Sequence, residues 1–209
     1  MLTVVGNLKG GTGKSTVAFN LAVWLAHDKN GVRAFDLDPQ CTLQDVCEVR
    51  EEDGFEPTFE VSADLDELVA LAGDRSSKQP IIVDMSASNM PAMEKAISLA
   101  DRILIPVQPS QADIWSTQRF LKIIAGNLDK KRNTEVLGFI NRADTHRGIR
   151  ETDEAEQALQ MLQGVKALGV RLYQRTAYRR SFSEGLGVFE LDPMGKASKE
   201  MKKLAALLD

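Results

Sequence analysis

Leu2-Thr3-Val4-Val5-Gly6-Asn7-Leu8-Lys9-Gly10-Gly11-Thr12-Gly13-Lys14-Ser15-Thr16 opens the chain, one residue after the initial Met1. Thr3-Val4-Val5 is β-branched throughout and reads as a strand. The glycines read as a loop, and Ala18, Leu21, Ala22 and Leu25 fall at helical spacing in a helix from about Ser15. A glycine-rich turn between a strand and a helix suits phosphate. Glycines let backbone N–H groups turn inward without a Cβ clash, and the helix N-terminus adds its positive dipole end. Lys14 is expected to reach the β- and γ-phosphates of a nucleotide, and the Ser15 hydroxyl to ligate Mg²⁺. The pattern departs from the ordinary phosphate loop, which has a glycine five residues before Gly13. Leu8 stands there, and a second lysine, Lys9, follows it.

Outward from this loop, short apolar runs alternate with helical patterns. Strands are expected at Val32–Leu37, near Phe59–Val61, and at Pro80–Asp84, Ile103–Val107, Val136–Ile140 and Val170–Tyr173. Between them the spacing predicts a helix capped by Ser62 or Asp64 and closed near Gly73, and another from Pro91 to Ala100. Further helices are expected from about Asp113 and near Glu154–Leu162, and two more at the end of the chain. Gln40–Pro57, with Glu48, Glu51, Glu52 and Asp53 and little periodicity, reads as a solvated loop. Repeated strand–helix alternation implies right-handed crossovers. The fold class expected is α/β, a single-domain P-loop NTPase spanning residues 1–209. Its twisted sheet would be mostly parallel with helices on both faces.

Composition narrows the function classes. The 26 basic and 30 acidic residues leave a net charge of −4, so any basic surface must be local. No segment approaches the roughly 20 apolar residues of a membrane span, and no basic region precedes the first strand, so no secretory leader is expected. Cys41 and Cys47 match neither zinc nor redox spacing and read as free thiols of a reducing cytoplasm. His27 and His146 read as ordinary surface residues.

Lys9-Gly10-Gly11-Thr12-Gly13-Lys14-Ser15-Thr16 resembles the deviant Walker A box of the ParA/MinD group of ATPases. Phe35-Asp36-Leu37-Asp38-Pro39-Gln40 resembles that family's Asp-x-Asp-Pro-Gln box, and Ile81-Ile82-Val83-Asp84 its Walker B strand. Ile105-Pro106-Val107-Gln108-Pro109-Ser110 resembles a further family strand and turn. The similarity runs along nearly the whole chain. With its short length and immediate N-terminal loop, the chain resembles the small ParA (ParF-like) subgroup. The resemblance implies an ATPase acting as an ATP-dependent homodimer, with two nucleotides between the protomers. Lys9 would cross to the partner's phosphates, Asp38 would position the attacking water, and Asp84 would hold the Mg²⁺ shell with Ser15. Asn141 falls where family members often place an adenine-reading asparagine, and a strand-end turn role is equally open.

Arg171, Arg175, Arg179 and Arg180 cluster in one stretch, and Lys196, Lys199, Lys202 and Lys203 decorate a final helix whose Met201, Leu204, Ala205 and Leu208 form a core stripe. Joined to the resemblance, this implies sequence-independent binding of nucleoid DNA through phosphates, with Arg171, Arg175, Arg179, Arg180, Lys199, Lys202 and Lys203 as candidates. The expected activity is ATP hydrolysis that positions a cargo (a plasmid, a chromosome region or a protein assembly such as a carboxysome) with a ParB-like or cargo-adaptor protein. A membrane cycle like MinD's and an ATP-dependent metabolic ligase are the alternatives. The final helix has no aromatic for a membrane anchor, so no stable membrane association is expected.

Overall fold

In the computed structural model the described residues are 1–27, 31–74, 77–146 and 150–208. Seven parallel strands form one sheet in the order β3-β2-β4-β1-β5-β6-β7. These are β1 Leu2–Val5, β2 Arg33–Asp36, β3 Val61–Ser62, β4 Ile81–Asp84, β5 Arg102–Val107, β6 Glu135–Ala143 and β7 Lys166–Tyr173. The helices between them are α1 Lys14–Ala26, α2 Thr42–Glu52, α3 Leu65–Gly73, α4 Met90–Leu99, α5 Gln111–Asn127 and α6 Glu151–Met161. After β7 come α7 Thr176–Ser183, α8 Val188–Leu191 and α9 Lys196–Ala206, three helices where the spacing predicted two.

Alternate strand residues feed two cores. Val5, Ala34, Ile82, Leu104, Phe139 and Leu172 pack with α1, α2, α8 and α9. Val4, Phe35, Val83, Ile103, Ile105 and Ile140 face the opposite way and pack with α4, α5 and α6. Both faces are therefore covered, which is why the central strands are near-continuous apolar runs. Asp64 caps α3 by accepting the N–H groups of Asp66 and Glu67, and Asn89 and Ser110 cap α4 and α5.

One expectation fails in the first half of the chain. Gln40–Pro57 is not a solvated loop throughout, because Thr42–Glu52 forms α2 with Leu43, Val46 and Arg50 buried. Positions 43, 46 and 50 share a helical face, but the third is a charged residue, so the apolar period is cut short. Arg50 is 1% exposed and each of its nitrogens has an acceptor: Nε donates to Pro57 O (3.0 Å), Nη1 to Gly185 O (2.9 Å), and Nη1 and Nη2 to the two carboxylate oxygens of Glu190 at 2.8 Å each. It ties α2 to α8. Both cysteines are free, and burial pushes the Cys47 thiol up to about 12, leaving it inert at neutral pH. His27 takes part in structure as well, with Nε2 at 3.0 Å from Glu190 Oε1.

Candidate functional site

β4 and β5 flank β1, and the carboxyl ends of β1, β2 and β4 lie level, with Val5 opposite Asp84 and Asp84 opposite Asp36. The glycine loop leaves β1 at this edge and enters α1 through Gly13, at φ 85°. Only glycine fits there: the backbone is left-handed, and a Cβ would stand 2.5 Å from Asn141 Nδ2. Lys14, the first residue of α1, is buried, and its Nζ donates to the carbonyl of Lys9 (3.3 Å) across the loop. Burial lowers its pKa, opposed by the carboxylates of Asp84 and Asp38.

The two acids of Asp36-Leu37-Asp38 divide the work. Asp36 Oδ2 accepts the N–H groups of Leu43 (2.8 Å) and Gln44 (3.1 Å), and Oδ1 accepts that of Asp38 (3.1 Å). The N-cap residue of α2, Cys41, supplies no side-chain cap, so a carboxylate from β2 satisfies the helix's first donors instead. Burial raises the pKa of Asp36, opposed by those N–H groups of Gln44, Asp38 and Leu43. Asp38 is thereby set at the mouth of the loop, 9% exposed, with Oδ1 accepting Gln40 N–H (3.1 Å). Sequence reasoning assigned Asp38 and passed over Asp36, although both lie in the same quoted box.

Asp84 is wholly buried, and neither of its carboxylate oxygens has a hydrogen-bond partner. Burial pushes its pKa up to about 7. The Ser15 hydroxyl and Lys14 oppose the shift, the hydroxyl lying near without making a directed bond. Buried carboxylate oxygens without partners are rare, and a pair of them suits a site that a cation completes. Ser15, Asp38 and Asp84 offer one hydroxyl and two carboxylates. Among the described residues no three His, Cys, Asp or Glu side chains converge into a ready metal cage. That sparse donor set fits Mg²⁺, which keeps several waters and takes further oxygens from phosphates.

Lys9 lies at the lip, its side chain 40% exposed, with Nζ 2.5 Å from Asp113 Oδ2. Asp113 itself is 1% exposed, also accepts the Ser110 hydroxyl, and keeps Oδ1 unpaired. The Ser110–Asp113 spacing could have disclosed a helix cap but not a partner for Lys9. Asn141 lies inside β6, since the strand runs on to Ala143, and it donates to Thr12 O (2.7 Å). With Gly13, Thr16, Arg142, Tyr178 and Arg179 it lines a cleft of about 160 Å³ beside the loop.

The structure does not keep the C-terminal basic residues together as free charges. Arg171 is paired with Asp153 and Glu156, Arg175 with Glu200 while stacking on Tyr173, and Arg180 with Glu184. Arg179 is exposed, lines the cleft and makes no ion pair among the described residues. On α9, Lys199 and Lys203 are exposed, and Lys202 Nζ donates to Pro193 O (3.3 Å). Among the described residues no helix is long and apolar enough to cross a membrane.

Known proteins are similar to this chain in sequence and in fold. The chain is 28% identical over 203 residues to a maintenance of carboxysome distribution protein A from Halothiobacillus neapolitanus, covering 94% of this chain and 90% of that one. It is 29% identical over 197 residues to a protein ParA from Rhizobium radiobacter, covering 88% and 83%. Its fold superposes with a TM-score of 0.76 on an ATP complex of McdA from Cyanothece, at 18% identity and covering 99% and 95%. The CobQ/CobB/MinD/ParA nucleotide binding domain matches residues 3–188. With a parallel sheet, a phosphate loop carrying two lysines and a buried acid at the end of β4, the chain belongs to that ParA/MinD family of P-loop, ATP-binding proteins.

Proposed function

We propose that this chain is a positioning ATPase of the ParA type. It binds ATP with Mg²⁺, closes into a homodimer, holds nucleoid DNA without sequence preference, and lets go when a ParB-like or cargo-adaptor protein stimulates hydrolysis. The observation that carries this reading is the pair of lysines on one loop, Lys14 buried within it and Lys9 at the lip. One cation suffices to hold phosphate inside a protomer. The second, reached from solvent, suits a neighbouring protomer's phosphates, as an arginine finger supplied in trans does.

In this reading the N–H groups from Gly10 to Thr16 and Lys14 hold the phosphates. Ser15, Asp38 and Asp84 would hold Mg²⁺, which neutralises charge developing on the transferred phosphoryl group. Asp38 also orients the attacking water, and the cleft beside Asn141 takes the base. The α9 stripe of Ala197, Met201, Leu204 and Ala205 is spent on the core, so the same helix is not offered to a bilayer. The cargo is of the kind that the relatives' names carry, a carboxysome-like assembly or a partitioned replicon, and the chain works in the cytoplasm on the nucleoid.

DNA mobility shifts test this. Wild type with Mg-ATP should retard random and AT-rich duplexes alike, and ADP should abolish the shift. Log affinity should fall linearly with log salt, by roughly 0.9 per phosphate contact. Arg179→Glu with Arg180→Glu should weaken binding of every duplex and flatten the slope. An ATP-bound dimer that ignores DNA at low salt would sink the nucleoid reading.

A further inference from the structure

Side-chain amides hold the carbonyls of the phosphate loop. Gln108, on the turn between β5 and α5, donates through Nε2 to Gly11 O (2.7 Å), and Asn141 donates to Thr12 O (2.7 Å). Asn7, fully buried, donates to Pro106 O (2.9 Å) while its Oδ1 accepts the Lys9 N–H (3.2 Å). In a trans peptide the C=O of one residue and the N–H of the next point in opposite directions. Because the Gly11 and Thr12 carbonyls are engaged by side-chain donors, the Thr12 and Gly13 N–H groups point away from those donors and are left free for an anion in the loop. The loop needs such restraint. Gly11 and Gly13 sit at φ 73° and 85°, conformations open to glycine but not fixed by it.

We propose that Gln108 is a positioning residue for phosphate binding. It locks the Gly11–Thr12 peptide with its N–H free for an anion, so that binding does not have to reorient it, the usual benefit of preorganised donors. Its side chain bonds the carbonyl of that peptide and so acts through the backbone. Asn141 does the same for the next peptide, but it also lines the cleft that would take the base. Gln108 is the residue at which the two roles separate. The inference rests on the loop being the nucleotide's phosphate site.

The test compares wild type, Gln108→Met and Gln108→Glu. Methionine keeps length and loses the donor; glutamate offers only acceptors to a carbonyl. ADP affinity by calorimetry should fall about five- to tenfold in Gln108→Met, the worth of one exposed amide bond, and further in Gln108→Glu. Adenosine affinity by NMR titration and the Tm without nucleotide should not move, and the Thr12 amide should exchange faster with solvent. Wild-type ADP affinity in Gln108→Met would overturn the role. So would parallel losses of adenosine affinity or Tm, which would mark Gln108 as merely structural. A wild type that failed to bind ADP would remove the nucleotide reading and this inference with it.

Discussion

At the end of β4 the two oxygens of Asp84 are buried without partners, beside a buried Lys14 whose charge is disfavoured. Beneath α8, each nitrogen of the equally buried Arg50 finds an acceptor. Both clusters take charge out of water, a step that costs several kcal/mol per ion unless it is compensated. Under α8 every nitrogen is compensated from within the fold, so that cluster is structural. At the phosphate loop compensation is incomplete, and in the proposed reading Mg²⁺ would complete it for Asp84 and phosphate for Lys14. Satisfaction of hydrogen bonds, more than burial or charge, separates the machinery from the scaffold here.

The contrast predicts opposite consequences for two deletions. Arg50→Ala should cost about 3–5 kcal/mol of stability, because Glu190 is left half-buried and the carbonyls of Pro57 and Gly185 lose their donor. Urea unfolding measures this, and nucleotide affinity of the remaining folded fraction should be unchanged. Lys14→Ala should do the reverse. Its ATP affinity by calorimetry should fall at least about 100-fold, within the 2–5 kcal/mol expected for one side of a buried charge pair, while the Tm without nucleotide stays close to wild type. If Lys14→Ala unfolded the chain and Arg50→Ala spared it, the division would be reversed.

A smaller effect tests the lip of the loop. Lys9 is held by Asp113 within one protomer, so reaching a partner's phosphates requires that pair to open. Asp113→Asn keeps the side-chain shape, removes the charge and loosens Lys9. Sedimentation with Mg-ATP should show dimers forming at lower protein concentration, by up to about fivefold for each of the two pairs opened, the scale of a pair near 1 kcal/mol. Lys9→Ala should bind nucleotide as a monomer and fail to dimerise. A Lys9→Ala dimer as stable as wild type would dispose of the trans role.

How much of this was legible follows from distance along the chain. The phosphate loop is a local pattern in which glycines, lysine and hydroxyl stand within eight residues of each other, and its strand and helix are adjacent. The parallel α/β sheet followed from apolar runs alternating with helical spacing. α2 was hidden because a core position is held by Arg50, whose acceptors include Gly185 and Glu190, 135 and 140 residues away. Asp36 was passed over because it caps a helix that starts six residues on and in another element. Gln108 lies 97 residues from the carbonyl it holds. Spacing discloses groups that act on a ligand together; it does not disclose side chains that act on a remote backbone.

The finest test of the satisfied cluster is its pH dependence. Burial alone would raise the pKa of Glu190, but Arg50, the N–H of Gly187 and His27 together hold it below the ordinary carboxylate value. A carboxylate whose folded pKa is depressed contributes stability that is present above its unfolded value, near 4.3. That stability is lost as the pH falls through the folded value. Glu190→Gln keeps an acceptor oxygen for Arg50 and discards the charge. At pH 7 it should cost about 2–3 kcal/mol, because the buried Arg50 loses its counter-charge and the new amide NH2 faces N–H donors of Arg50 or Gly187. Urea midpoints of wild type and variant, measured from pH 7 downward, should therefore converge once the pH is below the ordinary carboxylate range. A gap that persisted undiminished at pH 3 would mean that Glu190 contributes by shape alone. The ion pair under α8 would then be no counterpart to the unsatisfied charges at the phosphate loop.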